Sequence, residues 1–168
     1  MLKYLSAYSP DLQAKVQSLI DEGRLVEVLR ARYGTTHSVR SDAALYEYTL
    51  DLKNRYLRNA PPLSKVAYDN KLKVIQHALG THTTVSRVQG TKLKTKREIR
   101  IASLFKQTPP EFLKMIVVHE LSHIRERDHD KAFYQLCGHM EPAYHQIEFD
   151  LRMYLTQLDL SDAPVFLG

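Results

Sequence analysis

Between Pro10 and Arg32 the apolar residues Leu12, Val16, Leu19, Ile20, Leu25, Val28 and Leu29 recur at mostly helical spacing, with Gly23 as the expected interruption. A second helix is expected from Asp42 to Arg58, where Leu45, Tyr48, Thr49 and Leu52 share a face and Pro61 and Pro62 follow. The middle of the chain changes period. Short β-prone runs stand at Lys65 to Tyr68, Thr83 to Val88 and Glu98 to Phe105; in the last, Ile99, Ile101, Ser103 and Phe105 alternate as in a half-buried strand. Gln89-Gly90 can turn the second run back on the third as a hairpin. The stretch Lys71 to Leu79 reads as a short helix closed by Gly80.

A further helix is expected after Thr108, the candidate cap, with a proline in its first turn and Glu111 at the capping-box position. Its residues Phe112, Leu113, Met115, Ile116, Val117, Val118, Leu121 and Ile124 are apolar nearly all round, the pattern of a helix buried between other elements. Phe133, Leu136, Cys137 and Met140 continue in a new helix, for which Asp128 is the expected cap. The sum is an α+β fold: N-terminal helices, a small mostly antiparallel sheet, a buried central helix and C-terminal helices.

The length of 168 residues suits one domain over 1–168, and the 43% hydrophobic and 26% charged composition is that of a globular chain. No apolar run is long enough to cross a membrane, and Lys3, Ser6, Ser9, Pro10 and Asp11 break the amino-terminal segment, so a cytoplasmic location is expected. A lone cysteine, Cys137, is expected as a buried thiol. The formal charge of +5 favours phosphate-bearing or acidic partners without assigning one.

Inside the apolar helix lie three ionisable residues, in the order His119-Glu120-Leu121-Ser122-His123. Four residues apart, the two imidazoles project about 40° from one another around the axis and can reach one zinc ion. Glu120 lies about 100° from His119, placed to act as general base on a water activated by the metal rather than as a ligand. Without a partner, three such groups on a buried helix would carry a large desolvation cost. A catalytic zinc takes three protein ligands, and the candidates for the third are His129, His139 and His145. His129 needs a turn between Ile124 and Asp128, and a ligand at the start of the following helix is natural. His139 and His145 are candidates for orienting ligands or binding substrate.

The run Val117 to His123, then His129 and the Phe133-Tyr134 pair, resembles the YgjP-like metallopeptidases, a minimal zincin group related to SprT-like and WLM proteases. The segments Leu57 to Pro62, Ser86 to Gly90 and Lys131 to Cys137 extend the resemblance over most of the chain. It implies a zincin-like fold, one Zn2+ per chain on His119, His123 and His129, and Glu120 as the catalytic base. Many relatives outside this branch carry a Trp-Gly-Ser-Cys strand, whereas this chain reads Ser86-Arg87-Val88-Gln89 and has no tryptophan. The resemblance also brings two substrate classes: peptides, and nucleoside triphosphates through UTP pyrophosphatase activity of YgjP-type members.

Between Lys92 and Arg100 five cations face one acid, Glu98. Arg87, Lys92, Lys94 and Lys96 are candidate phosphate contacts, with Tyr134 and His139 as further candidate substrate-binding residues. The alternative for the lysines is a solvated hairpin that resists edge-to-edge pairing. The zinc site does not choose between the substrate classes that the resemblance implies; peptide is expected slightly ahead of nucleotide, with a SprT-like nucleic-acid-associated protease as a third reading.

Overall fold

The computed structural model describes residues 2–72, 81–89 and 92–168, with side chains described at 2–72 and 97–168. Two short helices open the fold, α1 (Pro10–Asp21) and α2 (Leu25–Arg32). Ser9 caps α1 by accepting from the Leu12 N–H at 3.3 Å, and Gly23, at φ 68°, makes the left-handed step that separates the two. Helix α3 (Asp42–Tyr56) follows the Ser41 cap, whose hydroxyl accepts from Ala44 N–H at 3.0 Å.

Strands β1 (Lys65–Asp69), β2 (Thr81–Gln89) and β3 (Lys92–Ala102) form one sheet in the order β1-β3-β2. β2 and β3 pair antiparallel, from Thr81 opposite Arg100 to Gln89 opposite Lys92. β1 joins the other edge of β3 in parallel, with Val66 opposite Ile99. The expectation of a mostly antiparallel sheet is therefore corrected at β1, whose pairing is parallel. Alternation marks β1 as a strand but says neither which edge it takes nor in which direction it runs there, since both ladders keep the same side-chain period. The short helix expected over Lys71 to Leu79 and the turn at Gln89-Gly90 fall largely outside the described residues.

The strand expected to run to Phe105 stops at Ala102, and Ser103–Gln107 form a 3-10 turn. The Phe105 carbonyl is taken from two sides. His37 Nε2 lies 2.6 Å from it and the Thr108 hydroxyl donates to it at 3.0 Å, which removes it from any ladder. The same bond occupies the Thr108 hydroxyl, so the capping role expected of it is corrected. Helix α4 (Pro110–Ser122) starts after Pro109 with no side-chain cap.

Helix α4 runs through the middle of the core. Met115, Ile116, Val117, Val118 and Leu121 are fully buried, together with Ile99 and Ile101 of β3. Helices α5 (Lys131–Met140) and α6 (Tyr144–Leu160) pack on it. Fully buried Asp150 ties α6 to the N-terminal helices, accepting from Arg32 at 2.6 Å and from the Tyr33 hydroxyl at 2.5 Å. The α+β arrangement thus delivers one polar helix end, that of α4, to the junction with α5 and α6. Among the described residues no helix is long and apolar enough to cross a membrane.

Candidate metal centre

His119 lies in the last turn of α4, and His123 is the residue that ends it. The chain then tightens: Ile124 N–H donates to Leu121 O and Glu126 N–H to Ser122 O, at 3.0 and 2.9 Å. This brings His129 back over the helix end. The cap of α5 is Asp130, which accepts from Phe133 N–H at 3.0 Å, so the cap expected at Asp128 moves two residues on.

One ligand nitrogen from each of His119, His123 and His129 falls within 4.8 Å of the others. The Nε2 atoms of His123 and His129 are 3.0 Å apart. Nitrogens about 2.0 to 2.1 Å from one tetrahedral zinc stand roughly 3.4 Å from each other, so the spacing suits a shared ion. The outer nitrogens of His119 and His123 are already engaged. His123 Nδ1–H donates to the Glu126 carbonyl at 2.9 Å, which leaves the Nε2 lone pair of that ring directed at the cluster. The Tyr144 hydroxyl lies 2.7 Å from His119 Nδ1. Two imidazoles oriented in this way, with His129 beside them, are a donor set for a metal ion.

Burial grades outward, from His119 at 3% exposure through half-buried His123 to exposed His129, so the cluster opens to solvent on the His129 side. Phe133, fully buried, forms its floor: its ring centroid is 5.0, 4.5 and 4.9 Å from those of His119, His123 and His129. Burial, then the charges of His123, His129 and Arg152, hold the His119 pKa well below the usual histidine range, which keeps its ring neutral and able to ligate. Glu120 is fully buried, and burial raises its carboxyl well above the usual range. A cation beside it would draw that value down again.

Of the other sequence candidates, Tyr134 stands at the rim, its ring 6.5 Å from that of His129 and 5.3 Å from that of His145. His139 is elsewhere, against Tyr56 of α3 at 5.5 Å, roughly 9 Å along α5 from Phe133. Arg87, Lys92, Lys94 and Lys96 lie outside the residues whose side chains are described. From the same basic stretch, Arg97 reaches the C-terminal end of α4, its Nη1 3.5 Å from the Ile124 carbonyl, and Arg100 is engaged by Asp69 and Glu98 at 2.9 and 3.4 Å. Sequence reasoning missed Tyr144, which begins a helix 21 residues after His123 and has no spacing that ties it to the cluster.

The chain matches a family model described as "YgjP-like, metallopeptidase domain" over residues 50–154. A curated relative from Escherichia coli (strain K12), named UTP pyrophosphatase, is 60% identical over 164 residues, 98% of this chain and 98% of the relative. No solved structure matches.

Proposed function

Since the chain belongs to the YgjP-like metallopeptidase-domain family and is a hydrolase, we propose that it is a zinc enzyme acting on nucleoside triphosphates of the UTP class. The observation that carries the metal half is the convergence of His119, His123 and His129. The substrate half is supported by the 60% identical relative, whose name puts nucleotide ahead of peptide. The family description keeps peptide hydrolysis as the second reading.

Zinc held by the three histidines would supply a Lewis acid and lower the pKa of a water within its reach. The remaining work falls to the chain. Glu120, on the same helix as two of the ligands, takes the proton as water attacks phosphorus, and delivers it to the phosphate oxygen that departs when the anhydride P–O bond breaks. To take that proton the carboxyl must start ionised, a form that burial disfavours and a zinc cation beside it would favour. His129 and Tyr134 stand on the open side, where substrate enters. Arg97, at the end of α4, and Arg87 are the cations for phosphate to be tested.

The test assays zinc-loaded protein against UTP and against peptides, with Glu120→Gln as control. Hydrolysis of UTP that is lost in the variant supports the reading. Peptide cleavage without UTP hydrolysis would transfer the site to the second reading.

A further inference from the structure

A run of aromatic rings adjoins the open side of the metal cluster. His129 is exposed, half-buried Tyr134 has its ring centroid 6.5 Å from that of His129, and exposed His145 stands 5.3 Å from Tyr134. The three come from separate elements: the turn after α4, the start of α5 and the start of α6. Neighbouring planes differ by 35° and 38°, so each ring is closer to parallel than to perpendicular with the next. From the buried side Tyr134 is held edge-on by Phe133, at 5.1 Å and 82°, and by Tyr144 at 6.2 Å, both fully buried. Tyr144 also meets the His145 ring, at 5.6 Å and 81°.

Core packing accounts for Phe133 and Tyr144. It does not account for Tyr134 and His145, which leave ring area in water beside the cluster, where a flat ligand can cover it. The proposed substrate brings such a ligand. Of the anhydride bonds in a nucleoside triphosphate, the one whose cleavage releases pyrophosphate joins the α and β phosphates, and the α phosphorus carries the nucleoside directly. With that phosphorus at the three histidines, the base stands one sugar away, a place for a side chain that neighbours the cluster and not for a remote pocket. Tyr134 is such a neighbour, its ring next to that of His129. A nucleobase has a π-face, and aromatic side chains bind it by stacking without needing charge.

We propose that Tyr134, with His145 beside it, is the platform on which the nucleobase of the substrate stacks while its phosphates reach the three-histidine cluster. The inference rests on the nucleotide reading of the site. Phe133 and Tyr144 fix the platform from behind, so the Tyr134 ring is set before substrate arrives and little side-chain freedom is lost on binding. Stacking tolerates any base, because every base offers a π-face. The platform therefore separates nucleotides from inorganic polyphosphates and leaves the choice among bases weak.

The experiment compares two ligands that hydrolysis cannot consume, uridine α,β-methylenediphosphonate and methylenediphosphonate, which share the phosphonates and differ by the nucleoside. Both are titrated by calorimetry into the zinc-loaded full chain, as wild type, Tyr134→Leu, Tyr134→Phe and His145→Ala, with zinc content measured after each titration. Tyr134→Leu should weaken the uridine compound about 5- to 150-fold, the usual worth of one stacked base, and leave methylenediphosphonate unchanged. Tyr134→Phe, which keeps the ring, should restore most of the affinity, and His145→Ala should act in the direction of Tyr134→Leu by less. A tyrosine that only packs would lower thermal stability and leave the ratio of the two affinities as in wild type. That unchanged ratio, or an equal loss for both ligands, overturns the platform. So does failure of the uridine compound to bind a wild type that hydrolyses UTP. Absence of UTP hydrolysis by wild type overturns the nucleotide reading itself, and the platform with it. If Tyr134→Leu fails to fold, the ratio in His145→Ala, altered at an exposed position, decides.

Discussion

The Nε2 atoms of His123 and His129 face each other at 3.0 Å although the two rings come from opposite sides of a tight turn. His123 spends its Nδ1 proton on the Glu126 carbonyl, so at least one of the facing atoms offers only a lone pair. A cation between them satisfies both at once, which is the physical content of a metal site in this turn.

His129→Ala should weaken zinc binding by more than the roughly 100-fold that losing an outer-shell partner causes. His139→Ala should leave zinc affinity unchanged and cost at most about 1 kcal/mol, the worth of its ring contact with Tyr56. Chelator competition on the two variants checks both. Equal effects would remove His129 from the ligand set.

Glu120→Gln should keep its zinc and lose about 100- to 10,000-fold in kcat, the usual contribution of a general base. Elemental analysis and steady-state kinetics on one preparation test this. Full turnover would point to another base, and loss of zinc would make Glu120 a ligand.

His37 gives a pH dependence with a definite sign. Val39 N–H donates to its Nδ1 at 2.9 Å, and Nε2–H donates to the Phe105 carbonyl, so the folded protein holds the ring neutral. Burial accordingly lowers its pKa below the usual 6.5. The unfolded chain takes up the proton more readily, so this stability is complete above about pH 6.5 and is lost as pH falls toward the folded value. His37→Gln should cost about 1 to 3 kcal/mol at pH 7.5, from buried groups left without partners, and should flatten the decline between pH 7 and 5. Urea unfolding across that range is the check, and an unchanged slope would rule His37 out as its source.

Much of this was readable in the chain itself. The interruption at Gly23, the helix from Asp42 and the buried helix around His119 followed from periodicity and small-residue punctuation, because each is a local property. The edge that β1 chooses is not local, and its parallel pairing with β3 had no signal in alternation. Ser103 and Phe105 kept the strand period while the Phe105 carbonyl went to His37, 68 residues away. The spacing of His119 and His123 marked the candidate ligands, but Tyr144 reaches His119 only through the packing of α6 on α4, and nothing in its own neighbourhood announces that. Asp130 rather than Asp128 caps α5, because it is the Asp130 carboxylate that stands three residues before Phe133 and accepts from its N–H.

The most direct test is zinc content per chain in wild type and in His119→Ala/His123→Ala, after both are loaded with zinc and dialysed against metal-free buffer. A single metal centre built on the end of α4 requires one zinc per wild-type chain and background metal in the double variant, with the helical signal retained. Equal zinc in the two proteins would contradict it.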